Sequence, residues 1–247
     1  MIVLFTDFGA DDIYVAQVKA ALLEHLCVDT PIVDLLHGVP NFELRPGAHL
    51  LAALQGQFPG GTVFLAVVDP EVGTTRDAVV LQADGKWFVG PDNGLLSVIA
   101  GRATRTQAWR VVWRPPVLSA SFHGRDLFAP LAAWIANGAL PVDKLEEIPA
   151  LHARFEPADL AEVIHADHYG NALTGMRAGN VSRSAEIRIR GQRLRYARVF
   201  AEAPVGSAFW HENSIGLVEL AANRASAVQL LGIEVGDPVV VIAQALE

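Results

Sequence analysis

The apolar pattern of this chain changes character across residues 141–159, and the change predicts two kinds of folding unit. Upstream, Ile2-Val3-Leu4-Phe5 is an unbroken apolar run that ends at Thr6-Asp7, the signature of a strand buried on both faces. From Asp12 onward Ile13, Val15, Val18, Ala21, Leu22 and Leu26 recur at helical spacing, with Asp11 or Asp12 placed to cap the helix. Residues 62–68 repeat the buried-strand pattern, residues 78–82 and 87–89 read as a hairpin around Asp84-Gly85, and residues 126–137 return to helical periodicity. Strands alternating with helices predict an α/β domain over residues 1–150. Residues 141–159, rich in proline and charge and without periodicity, read as a linker. Beyond them helices mostly disappear, and residues 163–166, 185–190, 193–198, 217–221 and 239–243 read as short strands. The strict alternation of Glu186-Ile187-Arg188-Ile189-Arg190 leaves one sheet face wet, so residues 159–247 are expected to form a small β-barrel or sandwich.

Composition removes several function classes. With 51% apolar and 19% charged residues, the chain can bury an ordinary core and is not disordered. A net charge of −8 disfavours a nucleic-acid partner. The single cysteine, Cys27, can form neither an intrachain disulfide nor a cysteine metal cage. Residues 46–68 carry no Asp, Glu, Lys or Arg, but Gln55-Gly56-Gln57 and Pro59-Gly60-Gly61 break the stretch into a helix, a turn and a strand rather than a membrane span. The start lacks a basic segment of the kind that opens a signal peptide, and a cytoplasmic location is expected.

Five polar clusters fall at strand ends or glycine turns, where backbone geometry projects side chains into a cleft. They are Thr6-Asp7-Phe8-Gly9-Ala10-Asp11-Asp12, residues 68–76, Gly90-Pro91-Asp92-Asn93-Gly94, Phe122-His123-Gly124-Arg125-Asp126, and Asn213-Ser214-Ile215-Gly216. Asp7, after a buried strand, is either a turn former or a carboxylate able to take both hydroxyls of a ribose. Asp69 and Arg76 are placed to meet as an ion pair, structural or catalytic. His123 is either a hydrogen-bonded structural residue or a reactive one, and Gly124 beside it leaves room for a ligand or for a close backbone approach. Asp69 with His123 can also be read as metal ligands, but no histidine pair at helical spacing supports them, and no metal is expected. Pro91-Asp92-Asn93-Gly94 reads as a structural turn, Asn171 as a turn residue or a purine reader, and Phe209 with Trp210 as core aromatics or an adenine platform.

Taken in order, six signatures resemble the S-adenosyl-L-methionine (SAM) hydroxide adenosyltransferases, the adenosine-forming SAM hydrolases related to SAM-dependent chlorinases and fluorinases. They are Thr6-Asp7-Phe8-Gly9; Val67-Val68-Asp69-Pro70 with Val72-Gly73-Thr74 and Arg76; Pro91-Asp92-Asn93-Gly94-Leu95-Leu96-Ser97; Phe122-His123-Gly124-Arg125-Asp126; Gly170-Asn171; and Asn213-Ser214-Ile215-Gly216. Each is weak alone; six in one order are specific. The resemblance implies an α/β fold in which a Rossmann-like N-terminal domain is followed by a small β-barrel-like C-terminal domain. It also implies a homotrimer with sites between the large domain of one subunit and the small domain of the next. It places a water-activating triad on Asp69, Arg76 and His123, the ribose hydroxyls on Asp7, and the methionine amine near Asp12 and Asp167. Asn171, Asn213 and Ser214 would contribute to the adenosine and methionine pockets, and Asn41 aligns with an adenosine-pocket position.

The implied reaction converts SAM and water to adenosine and L-methionine without a cofactor. A sulfonium already leaves well, so the protein need only hold water in line with C5′ of the ribose. Asp69 and His123 would orient and deprotonate that water, and Arg76 would fix Asp69. Where the fluorinase has a tyrosine and a halide-binding serine, this chain has Asp69 and Gly124, and the carboxylate is expected to repel halide. Ile215 stands where the fluorinase has an arginine for the methionine carboxylate, leaving that group without an assigned partner. A chlorinase-like halogenase and a non-catalytic SAM or adenosine sensor are the alternative readings.

Overall fold

The five residues of Ile2–Thr6 form β1 and are all buried, because the strand lies inside a sheet covered on both faces. The computed structural model describes residues 1–27 and 29–243. The chain divides into two compact units, Met1–Leu51 with Phe58–Pro157, and Ala52–Gln57 with Ala158–Glu247.

In the first unit β1 is followed by α1 (Ile13–His25), β2 (Ile32–Leu36), α2 (Leu44–Leu54), β3 (Val63–Val67), β4 (Ala78–Ala83) and β5 (Lys86–Pro91). Then come α3 (Ser97–Arg102), β6 (Thr106–Val111), α4 (Ala129–Ala136) and β7 (Leu145–Ile148). One seven-stranded sheet runs in the order β2-β1-β3-β5-β4-β6-β7. β2, β1, β3 and β5 are parallel, and β4, β6 and β7 are added antiparallel. Leu4, Leu65, Val67 and Val89 face Val18 and Leu22 of α1 and Leu131 and Ala132 of α4, while Phe64 and Phe88 stack 4.9 Å apart on the neighbouring strands β3 and β5. The β4–β5 hairpin turns at Asp84 and Gly85, both at positive φ, as the Asp-Gly pair predicts.

Residues 141–159 are not wholly a linker. β7 lies within them and pairs with β6, because Leu145 and Ile148 are partly sheltered while Glu146 and Glu147 face water on an edge strand. The apolar stretch 46–68 is divided among α2, a short 3₁₀ turn and β3, and no helix among the described residues is long and apolar enough to cross a membrane.

The second unit holds β8 (Leu160–Ala166), β9 (Ala172–Arg177), β10 (Glu186–Ile189), β11 (Gln192–Leu194), β12 (Ala208–Glu212), β13 (Leu217–Ala222), α5 (Ala227–Leu231) and β14 (Val240–Ile242). They make a four-stranded sheet, β12-β13-β9-β8, and a three-stranded sheet, β11-β10-β14. Each sheet is antiparallel throughout. Ile187 and Ile189 are buried and Arg188 is exposed, as the alternation predicts. Phe209 and Trp210 are core residues and not a platform: both are buried, and the Trp210 indole donates to the Ala185 carbonyl at 3.0 Å.

Candidate active site

Sheet order sets the position of the first carboxylates. The chain adds β2 on one side of β1 and β3 on the other, so the strand order reverses between β1 and β3, and it is beyond the carboxyl ends at such a reversal that open α/β sheets bind ligands. Asp7 directly follows β1, and Asp69 lies just past β3. The strand end below Asp69 is pinned by Asn93, whose amide donates to the Val68 carbonyl at 2.8 Å, so the structural reading of that turn holds.

The loop from Asp69 to Arg76 folds back on itself, with the Thr74 hydroxyl donating to the Glu71 carbonyl at 2.8 Å. It lies tightly on the segment that leads to His123. A Cβ on Gly73 would come within 2.5 Å of the Ala120 carbonyl oxygen, and the residue also sits at φ 82°, so only glycine fits. The result is a three-residue cluster. Arg76 Nε donates to Asp69 Oδ1 at 2.8 Å, Nη2 donates to Asp69 Oδ2, and Nη2 also reaches His123 Nδ1 at 3.2 Å. The side chains of Arg76 and Asp69 are only 6% and 5% exposed, and the guanidinium lies 5.4 Å from the centre of the Phe128 ring.

This geometry fixes protonation as well as position. Guanidinium nitrogens only donate, so His123 Nδ1 accepts, and the proton of the neutral ring sits on Nε2. Burial lowers the His123 pKa, and the neighbouring Arg76 charge lowers it further. Burial raises the Asp7 pKa, and the Asp69 charge adds to the rise, which marks the two carboxylates as electrostatic neighbours. The metal reading of Asp69 and His123 fails on charge, because the cationic guanidinium is bonded to both.

Of the two readings of Gly124, close approach is the one realised. A Cβ there would meet the Phe8 ring at 3.0 Å and the Phe122 ring at 3.4 Å, so aromatic carbon fills the space left by the missing side chain. Phe8, Phe122 and Tyr14 form an aromatic trio with centroids 5.3–6.1 Å apart, Phe122 meeting each of the other two edge to face. His123 precedes one turn of wide π-type helix, Gly124–Phe128, that leads into α4. Asp12 caps α1, its carboxylate accepting the Ile13 N–H at 2.6 Å, and both Asp12 and Asn41 are exposed.

The second unit carries its own cleft of about 760 Å³, whose lining includes Asp167, Asn171, Asn213 and Ser214. Asp167 accepts from the Tyr169 and Asn171 backbone N–H groups at 2.9 and 2.8 Å and from the Asn171 amide at 2.8 Å. Asn213 Oδ1 accepts from the Ile215 and Leu217 backbones at 3.1 and 2.9 Å, and its Nδ2 donates to Glu219 at 3.0 Å. Buried His211 donates to the other Glu219 oxygen at 3.1 Å. Asn213 therefore spends its acceptor internally and shapes the turn, whereas the exposed Ser214 offers its hydroxyl to the cleft. Sequence reasoning missed Glu219 and His211; their only signal is a polar pair on two apolar strands, visible once β12 and β13 are known to pair.

Comparisons with known proteins identify the family. The model of the SAM hydroxide adenosyltransferase N-terminal domain matches residues 2–146, and that of the C-terminal domain matches residues 161–240. The chain is 39% identical to an (R)-S-adenosyl-L-methionine hydrolase of Thermus thermophilus, over 95% of this chain and 96% of that one. It is 37% identical to a Salinispora arenicola protein of the same name, over 96% of both. A Nocardia brasiliensis fluorinase is more distant, at 27% over 96% of this chain and 94% of its own. A solved structure of an uncharacterized conserved protein from Thermotoga maritima superposes with a TM-score of 0.87 at 29% identity, covering 98% of this chain and all of that one. The chain belongs to the SAM hydroxide adenosyltransferase family.

Proposed function

We propose that this protein hydrolyses SAM to adenosine and L-methionine, with Asp69, Arg76 and His123 directing water onto C5′ of the ribose. The observation that carries the reading is the Asp69–Arg76–His123 cluster, whose Asp69 and Arg76 side chains are buried and whose Asp69 follows the strand next to the one that ends at Asp7. Arg76 uses one lone pair on each Asp69 oxygen, and the remaining lone pairs can accept a proton from water. His123, with its proton on Nε2, acts as a donor that orients the water oxygen, so proton acceptance falls to Asp69 rather than to both residues. Asp7 holds the ribose hydroxyls, and burial without a counter-ion suits it to a ligand that supplies donors. Asp12 and Asp167 face the methionine amine, while Asn41, Asn171, Asn213 and Ser214 shape the pocket. The hydrolase relatives are named for the (R)-sulfonium epimer, and we assign the same epimer here.

We assign residues 1–150 to a domain bearing the triad and residues 159–247 to one completing the adenosine and methionine pocket. The active form is proposed to be a cytoplasmic homotrimer, on the strength of the family resemblance. Light scattering that gives a single-chain mass would reject the trimer. Halogenation is the less favoured reading. Arg76 neutralises Asp69, so charge repulsion alone does not exclude halide, contrary to the sequence expectation. The stronger obstacle is steric, because Phe8 occupies the space at Gly124 where a hydroxyl donor would be needed.

The test is incubation with (R)-SAM in ¹⁸O-labelled water, resolving adenosine, methionine and adenine by chromatography. The reading requires label at the 5′ oxygen of adenosine. Adenine as product, or label elsewhere, rejects it, and ligand binding without turnover would make the protein a sensor.

A further inference from the structure

A second polar chain, with two buried members and a solvent-exposed carboxylate at its outer end, belongs to none of the roles above. Thr6, the last residue of β1, is 1% exposed, and His37, just after β2, is 7% exposed. The Thr6 hydroxyl lies 2.8 Å from His37 Nδ1, His37 Nε2 lies 3.0 Å from Asp34 Oδ1, and the other Asp34 oxygen accepts from Lys19 at 2.5 Å. The donor directions follow from what each group can do. Asp34 only accepts, so His37 carries a proton on Nε2; in the neutral ring Nδ1 accepts, and the Thr6 hydroxyl donates to it. The Thr6 oxygen accepts the Phe8 backbone N–H at 3.3 Å. Two backbone bonds lace the same turns together, Gly9 N–H to the His37 carbonyl at 2.7 Å and Val39 N–H to the Thr6 carbonyl at 3.2 Å.

Asp7 sits between the two residues this chain grips. Its carboxylate makes no ion pair among the described residues, and burial raises its pKa, so the backbone on either side must hold it in place. We propose that the Asp34–His37–Thr6 relay is a positioning device for Asp7, setting both carboxylate oxygens at the geometry a vicinal diol requires. The inference rests on the reading of Asp7 as the ribose-holding group. A carboxylate that takes two hydroxyls is sensitive to small rotations, since both bonds must form together. A purely structural network would stabilise the fold without distinguishing a diol from its absence.

The experiment exploits that difference. Adenosine and 2′,3′-dideoxyadenosine are titrated by calorimetry into the full-length protein and into Thr6→Val, Thr6→Ser and His37→Gln, with SAM kinetics measured alongside. Thr6→Val keeps shape but removes the hydroxyl; we expect it to weaken adenosine by about tenfold, leave the weak dideoxyadenosine affinity unchanged, and raise KM for SAM at nearly constant kcat. Thr6→Ser restores adenosine affinity because the hydroxyl returns. Equal losses for both ligands, or a fall in kcat at constant KM, overturn the proposal. If Thr6→Val does not fold, His37→Gln is judged by the same ligand pair and the same criterion. Wild-type protein that binds adenosine and dideoxyadenosine equally well refutes the Asp7 reading itself, a failure visible before any variant is made.

Discussion

Replacing Arg76 separates its two roles, because it holds a buried charge and also shapes the reactive pair. In Arg76→Met the Asp69 carboxylate, 5% exposed, loses both guanidinium bonds and its counter-charge, and His123 Nδ1 loses its donor. Breaking a buried pair on one side costs about 3–5 kcal/mol, which lowers the Tm of a chain this size by about 6–20 °C in the transition of the first unit. Turnover should fall by about 10²–10⁴, since water loses an oriented acceptor and an oriented donor together. Arg76→Lys keeps the charge but has no planar fork to reach two carboxylate oxygens and an imidazole at once. Its stability should therefore lie between wild type and Arg76→Met, with turnover near that of Arg76→Met. The double variant Asp69→Asn/Arg76→Met removes both charges, and it should regain most of the lost stability while staying inactive. Thermal and denaturant melts with single-turnover assays on these four proteins and on Asp69→Asn decide the matter. Wild-type turnover in Arg76→Lys, or a double variant as unstable as the sum of its singles, would refute the reasoning.

Three further outcomes follow from the same geometry. Because burial and Arg76 lower the His123 pKa, the imidazole stays neutral below its ordinary value of about 6.5; the acid limb of kcat/KM should lie below that pH, and a limb above it would contradict the electrostatics. For Asp7 the shift has the opposite sign: the native state holds a proton more tightly than the unfolded chain, so stability falls as pH rises through the raised pKa. At neutral pH Asp7→Asn should therefore raise Tm while weakening adenosine binding; a lower Tm would show that the carboxylate is a structural partner. Gly124→Ser should push Phe8 aside and reduce hydrolysis, with no 5′-chloro- or 5′-fluoro-5′-deoxyadenosine formed in molar halide, as chromatography would show.

What the sequence revealed depended on whether the information was local. β1, the Asp84-Gly85 hairpin and the buried faces of β10 were legible because pattern and turn chemistry sit within a few residues. β2 and β7 were not, since an edge strand with Asp34 or with Glu146-Glu147 in its middle breaks the apolar signature. Asp69 stood out at a strand end, Arg76 on a glycine turn and His123 beside Gly124, and their grouping was implied only by the family resemblance; the Nδ1 contact that leaves the His123 proton on Nε2 spans 47 positions. Gly124 was ambiguous for a similar reason: only the fold shows that Phe8 fills the space. Asn213 was drawn into the pocket by the family resemblance, and its bonds to two backbone N–H groups and Glu219 became visible only in three dimensions.

The π-type turn at Gly124–Phe128 ties the position of His123 to chain length as well as to residue identity. It accommodates one residue more than a regular helix would, with Ala129 N–H bonding back to the Gly124 carbonyl. Deleting a single residue there would let α4 continue regularly upward, and everything before the deletion would turn by about 100° around the helix axis. His123 would swing out of reach of Arg76 although every side chain of the cluster was still encoded. Such a deletion should give a protein that has lost its turnover, together with the packing of Ala120 on Gly73. A family alignment built on residue identity alone would score that protein as intact, so the count of residues between Phe122 and Ala129 is itself part of the functional signature.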